Sequence, residues 1–234
     1  MSNVTTHSFT NCSAQAAALA ERVAAQLREA IAERGTAVIA VSGGSTPKDF
    51  FAQLSKQALD WAKVTVTLVD ERWVPDSDAR SNAKLVEAAL LQGAAAAARF
   101  VPLYTGAATP AAGLAEAEAR IAALPAPFDV VVLGMGEDGH TASFFPGGDR
   151  LAEALDPQGK AKVLTMQAPG AGEPRITLTL PALLATRALY LLVSGETKRD
   201  LLADVRLGLA EAKNYPVRAV VQQDRVPLAV YWCP

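Results

Sequence analysis

Four runs of apolar, largely β-branched residues divide this chain, and each passes at once into a polar or glycine-rich turn. They are residues 36–41 (TAVIAV), 64–69 (VTVTLV), 128–133 (FDVVVL) and 188–193 (ALYLLV). A strand with one face in water alternates apolar and polar side chains. A run that is apolar almost throughout fits a strand buried on both faces. Such strands need helices on each side of their sheet, and the segments between the runs supply them. Residues 13–33 are alanine-rich, with Leu19, Val23, Leu27 and Ile31 at four-residue spacing, which makes one apolar stripe before Gly35 ends the helix. Further helices are expected over residues 47–59, 82–91, 111–124 and 197–205, and shorter strands over 100–103, 163–166, 176–180 and 228–232. The alternation implies parallel crossovers and an α/β fold: an open, mostly parallel twisted sheet, Rossmann-like, with helices on both faces.

With 234 residues, half of them hydrophobic, the chain can bury a sizeable core, and one domain over residues 1–234 is expected. No internal repeat or linker divides it. The alanine-rich residues 93–98 read as the end of a surface helix. The formal net charge of −2 offers no global field for a nucleic acid backbone, so any bound anion must be held by a local cluster of cations and N–H groups. No apolar run reaches the ~18–20 residues needed to span a bilayer. Residues 1–10, His7 among them, read as a polar tail without a secretory leader, which makes the cytoplasm the expected compartment. Cys12 and Cys233 stand at opposite ends with no zinc or redox spacing, and a disulfide is not expected.

In an open α/β sheet, ligands sit beyond the carboxyl ends of the strands, so the loops after the apolar runs carry the functional argument. The first is Ser42-Gly43-Gly44-Ser45-Thr46-Pro47. Its glycines allow positive φ and close approach of a ligand. Thr46 is expected as N-cap, with Pro47 in the first helical position and Asp49 completing a capping box, so that free N–H groups at the helix start favour a phosphate. The spacing is not that of a Walker A loop. An ordinary capped turn is the alternative.

The second loop, Asp70-Glu71-Arg72-Trp73-Val74-Pro75, continues through Asp76, Asp78, Arg80, Ser81 and Asn82. Charges at a strand end are costly unless they meet solvent, one another or a ligand, and a salt-bridged corner is the plain reading. Arg80 stands where a calcium loop would need an oxygen ligand. The third loop contains Gly134-x-Gly136-x-x-Gly139, which superficially matches a dinucleotide fingerprint. That fingerprint needs a helix to follow, but Pro146-Gly147-Gly148 interrupts. Glu137 and Asp138 would also sit where the pyrophosphate belongs. The better reading is a turn that presents Asp138 and His140 above the sheet. Two further cations are candidates: Arg175 at the start of a strand, and Lys198 in a first helical turn, where the helix dipole opposes it unless an anion shares the spot.

Taken in order, these segments resemble the 6-phosphogluconolactonase family. The likeness runs through residues 41–47, 70–75 with Ser81 and Asn82, and 134–147, then Arg175 to Pro181 and Gly195 to Lys198, so it covers nearly the whole chain. The third signature is the most specific, while the first is shared with sugar-phosphate isomerases. One departure is Phe144-Phe145 where Leu-Phe is commoner. The resemblance implies a sheet like that of glucosamine-6-phosphate deaminase and no required metal or cofactor. It implies hydrolysis of 6-phospho-D-glucono-1,5-lactone to 6-phosphogluconate, in the oxidative pentose phosphate pathway. On this reading His140 is the candidate general base, since imidazole is the side chain suited to proton exchange near neutral pH. Asp138 orients it or steadies its protonated form, and Asp70 is the alternative base. Arg72 or Lys48 meets the oxyanion. Gly43, Gly44, Ser45, Thr46, Arg175 and Lys198 bind the phosphate. The partner is a phosphorylated sugar lactone, with no nucleic acid or membrane, and the chain is expected as a monomer or weak homo-oligomer. The rivals are an isomerase or deaminase of the same fold, which usually carries Tyr where Arg72 stands, and a non-enzymatic sugar-phosphate sensor.

Overall fold

The computed structural model describes residues 3–234; residues 1–2 of the expected polar tail lie outside the described residues. Among the described residues ten strands form: β1 (Val4–Ser8), β2 (Ala37–Val41), β3 (Val64–Leu68), β4 (Asp70–Arg72), β5 (Arg99–Val101), β6 (Val130–Leu133), β7 (Val163–Met166), β8 (Arg175–Leu178), β9 (Leu189–Ser194) and β10 (Leu228–Cys233). Eight helices lie between them: α1 (Cys12–Arg34), α2 (Pro47–Leu54), α3 (Asn82–Ala89), α4 (Pro110–Ala122), α5 (Leu151–Ala154), α6 (Leu180–Leu184), α7 (Glu196–Leu207) and α8 (Arg218–Val221). Seven strands make one sheet in the order β1-β10-β9-β6-β2-β3-β5, and every pairing in it is parallel. The four apolar runs supply its middle, and every residue of β2 is buried, as a strand covered on both faces requires. Helix α1 shows how the covering works. Asn11 caps it by accepting from the Ala14 N–H, Gly35 closes it in the left-handed conformation, and the stripe of Leu19, Val23 and Leu27 is buried. The buried Gln15 amide donates to the carbonyls of Val193 and Tyr231, which locks α1 onto β9 and β10. No helix among the described residues is long and apolar enough to cross a membrane.

Strand order reverses at β2. The chain adds β3 and β5 on one side of β2, then crosses to place β6, β9 and β10 on the other, where β1, laid down before β2, forms the far edge. The crevice beyond the carboxyl ends of β2 and β6 is therefore the switch point where α/β proteins bind ligands.

The structure corrects several expectations. Strands β7 and β8 do not join the parallel sheet; they form a separate antiparallel sheet with β4, in the order β4-β8-β7. Only eight residues separate β7 from β8, too few for a helical crossover but enough for an antiparallel return. Val69 links the two sheets: its N–H donates to Val41 O in the large one, and its carbonyl accepts from Leu178 N–H in the small one. The stretch read as a polar tail contains β1, an edge strand in which only Val4 is buried, so no apolar pattern announces it. Thr46 stands at the N-cap position with Pro47 behind it, but its side chain makes no capping bond. Its backbone is already helical and its hydroxyl lies 3.3 Å from that of Ser194 instead. Helix α2 ends at Leu54 rather than near residue 59. Residues 93–97 form a short 3-10 turn with Ala95 buried. Cys12 and Cys233 are joined by a disulfide. Because β1 and β10 run parallel, α1 begins at the same rim where β10 ends, so distance in sequence did not mean distance in space.

Candidate active site

A cleft of about 230 Å³ opens at the switch point, lined by the loop after β2, by β4, by the loop after β6, by β8 and by the start of α7. A larger groove of about 850 Å³ lies elsewhere, walled mainly by apolar residues such as Leu151, Leu155, Leu180 and Leu184. The polar groups converge in the smaller one. Gly43, Gly44, Ser45, Thr46, Asp70, Arg72, His140, Arg175 and Lys198 all line it. Two expected residues do not. Lys48 points from the exposed side of α2, and Asp138 stands behind His140.

The acidic loop is held from below by Glu71, which is fully buried. One carboxylate oxygen accepts from the N–H groups of Arg72 and Asn82 at 2.8 and 2.7 Å. The other accepts from the Ala83 N–H at 2.7 Å and the Ser81 hydroxyl at 3.1 Å. Glu71 thus serves the free N–H groups at the start of α3, where an anion is favoured. Burial pushes its carboxyl above the ordinary value, the three backbone donors oppose the rise, and Asp70 adds to it. Asn82, so placed, donates its amide to the Asp70 carbonyl at 2.9 Å. A Cβ on Gly43 would lie 1.9 Å from the Asn82 side-chain oxygen. Gly43 is therefore required by close packing of the first two loops, while Gly44 supplies the positive φ, +102°.

Asp70 is nearly buried, at 5% exposure, and accepts from the Ser143 hydroxyl at 2.5 Å. Arg175 stands 3.8 Å from the same oxygen. Across the small sheet Arg72 is directly paired with Arg175, which places a second arginine beside the one that faces Asp70. Arg72 donates to the Arg80 carbonyl and Arg175 to that of Ala171, but the Nε–H of each is buried without a partner among the described residues. Burial pulls the Arg175 guanidinium down from its usual value, with Asp70 opposing the fall and Arg72 adding to it. Two cations against one carboxylate, with orphaned donors in the wall, leave the site short of negative charge; a bound anion corrects this. Lys198 adds a third cation from the first turn of α7.

His140 comes from the other side, in a loop that stays free of helix until α5. Its Nδ1 lies 2.6 Å from Asp138 Oδ1, and the same oxygen accepts the His140 N–H at 3.1 Å. With Nδ1–H donated to the carboxylate, Nε2 carries the free lone pair. A Cβ on Gly136 would lie 2.2 Å from His140 Nδ1, so the turn closes on the ring. The loop is tied at its far side by Val217, whose N–H donates to the Gly139 carbonyl at 2.9 Å. Ala142, in the cleft wall, has φ +48°, a left-handed conformation costly for any residue with a Cβ and typical of functional turns.

Sequence reasoning left Ser143, Asn82 and Phe145 without roles, although all three lie inside the motifs. Phe145, 2% exposed, stacks on the His140 ring with centroids 4.4 Å apart and also carries the Arg175 guanidinium 5.1 Å from its centroid. Their contacts join separate loops, which no local pattern reveals.

Fold and site together define a Rossmann-like α/β protein whose switch-point cleft sets an oriented imidazole among cations suited to a small phosphorylated molecule. The comparisons narrow this class: the chain belongs to the family of glucosamine-6-phosphate isomerases and 6-phosphogluconolactonases, whose model matches residues 11–232. A 6-phosphogluconolactonase of Rhizobium meliloti (strain 1021) is 56% identical over 97% of this chain and 98% of its own length. The crystal structure of a 6-phosphogluconolactonase from Shewanella baltica OS155 superposes with a TM-score of 0.94 at 40% identity, covering 99% of this chain and 98% of that one. A monomeric glucosamine-6-phosphate deaminase shares the fold, with a TM-score of 0.78 at 18% identity over 97% of this chain and 96% of the other.

Proposed function

We propose that this chain hydrolyses 6-phospho-D-glucono-1,5-lactone to 6-phospho-D-gluconate, as a 6-phosphogluconolactonase of the oxidative pentose phosphate pathway. The observation that carries the reading is the His140–Asp138 pair, with Nε2 free, in the same cleft as Arg72, Arg175 and Lys198. A phosphate sensor has no use for an oriented imidazole, so the pair favours catalysis over mere binding.

The reaction needs one water added across one C–O bond. His140 Nε2 takes a proton as the water oxygen attacks the lactone carbonyl carbon, and Asp138 steadies the imidazolium that results. The Arg72 guanidinium meets the oxyanion, where a fixed cation acts without reorganisation. Collapse of the tetrahedral intermediate breaks the ring C–O bond, and the imidazolium returns its proton to the departing ring oxygen. The 43–46 loop, Arg175 and Lys198 hold the phosphate, so binding energy remote from the carbonyl supplies orientation. Asp70, tied to Ser143 and Arg175, acts as the anchor of this arrangement. No metal or cofactor enters any step. The protein works as one α/β domain over residues 1–234, in the cytoplasm, as a monomer or weak homo-oligomer.

The test is a coupled assay with freshly made lactone, corrected for its spontaneous decay. Hydrolysis well above the uncatalysed rate is expected. Decay at the spontaneous rate, from folded protein, overturns the reading.

A further inference from the structure

We infer that Phe145 is a positioning residue that sets the general base against the phosphate clamp. The inference rests on the lactonase reading above. The ring is buried and touches both partners: the His140 imidazole stacks on it, 24° from parallel with centroids 4.4 Å apart, and the Arg175 guanidinium lies 5.1 Å from its centroid. The ring's hydrogen bond is the one from Nδ1 to Asp138, and the Gly136 backbone closes on that same edge. A single hydrogen bond leaves the imidazole free to swing about the N···O axis; a flat ring stacked on its face removes that freedom and fixes where Nε2 points. The same aromatic surface accepts the guanidinium through the attraction of a cation for a π face.

The two contacts make Phe145 a spacer. The proposed reaction requires the base at the reacting carbon and a cation at the distant phosphate to be held at one separation, because a bound geometry in error by about 1 Å costs on the order of a hundredfold in rate. Asp138 and Asp70 tether His140 and Arg175 separately, from different loops. Phe145 is the side chain in contact with both. An aliphatic residue of similar bulk fills the space but offers neither a stacking face nor a π surface.

Three substitutions test the assignment. Phe145→Leu and Phe145→Met remove the ring, the second with a longer and more adaptable chain to refill the space, and Phe145→Tyr keeps it. The expected result is a kcat at least about tenfold lower for both aliphatic variants, and a Phe145→Tyr enzyme within about threefold of the wild type. Inhibition by 6-phosphogluconate should weaken by several-fold in the aliphatic pair, since Arg175 loses its aromatic neighbour. A folded Phe145→Met enzyme with wild-type kcat overturns the proposal, as does a Phe145→Tyr enzyme no better than Phe145→Leu. Proton NMR gives a readout independent of activity and foldability of the variants. The chain has only two histidines, so the imidazole signals are few. Those of His140 should be displaced upfield by the stacked ring in the wild-type protein; unshifted signals overturn the proposal. Lactonase failure of the wild type, with the shifted signals present, would instead strike the activity and leave the stacking geometry standing.

Discussion

His140 is a third exposed and touches Asp138 through Nδ1, so its free nitrogen is available to a water in the cleft while its tautomer is set from behind. General-base catalysis typically supplies ~10²–10⁴-fold. His140→Ala is therefore expected to lose at least about a hundredfold in kcat, with an unchanged circular dichroism spectrum. Retained activity in the folded variant would move the base to Asp70 or Asp138. Lys198 is proposed for a different part, as a ligand of the phosphate. A hydrogen bond to a charged group is worth about 1.5–3 kcal/mol, or roughly ten- to hundredfold in affinity. Lys198→Ala should weaken inhibition by 6-phosphogluconate by that factor and change kcat far less. Unaltered inhibition would put the phosphate elsewhere. The grounds for these assignments are visible in the sequence to different degrees. Asp138 and His140 declare themselves by their place between glycines after a buried strand. Lys48 had the same credentials as Lys198, a cation near a loop after a strand, and helix phase alone turns it away from the cleft. Arg175 could be seen as a cation, but its pairing with Arg72 depends on a strand partner that no periodicity names.

Elements were readable where burial leaves a pattern. β2, β3, β6 and β9 are apolar because both faces are covered, and their positions follow from that alone. β1 was missed because an edge strand needs few apolar residues, and β4 because three charged residues do not look like a strand. Yet β4 is what puts Asp70 and Arg72 over the rim. Its hold on α3 runs through Glu71, whose two carboxylate oxygens accept four hydrogen bonds. In Glu71→Gln one of those oxygens becomes an NH₂ group facing a donor. Leaving a buried donor unsatisfied costs about 1–3 kcal/mol, and that loss of stability is expected at neutral pH in chemical denaturation. The pH dependence has a definite sign. The folded-state pKa of Glu71 is raised above its ordinary 4.5, so the native protein binds this proton more tightly than the unfolded chain. Its contribution to stability then falls as pH rises from the ordinary value through the raised one, and is flat on either side. Glu71→Gln should remove that slope. A variant as stable as the wild type at neutral pH would mean that the four bonds do not hold the loop.

At the scale of the molecule, the same architecture serves two chemistries, since the family takes in glucosamine-6-phosphate isomerases as well as lactonases and the deaminase fold superposes closely. The sheet fixes where a sugar phosphate sits; the loops on its rim decide what happens to it. A deaminase needs a carboxylate free to take a proton from carbon. Here Asp70 is spoken for: one oxygen accepts from Ser143 at 2.5 Å and faces Arg175, while Asn82 lies 3.5 Å from the other. The unencumbered lone pair in the cleft is that of His140, which suits attack by water on a carbonyl. Glucosamine 6-phosphate should therefore enter, because it carries the phosphate for which the 43–46 loop, Arg175 and Lys198 are the proposed site, and should then go unreacted. The expected outcome is competitive inhibition of lactone hydrolysis without release of ammonia. Ammonia release at a rate comparable to lactone turnover would show Asp70 acting as a carbon base despite its partners, and would make the isomerase side of the family the better description of this cleft.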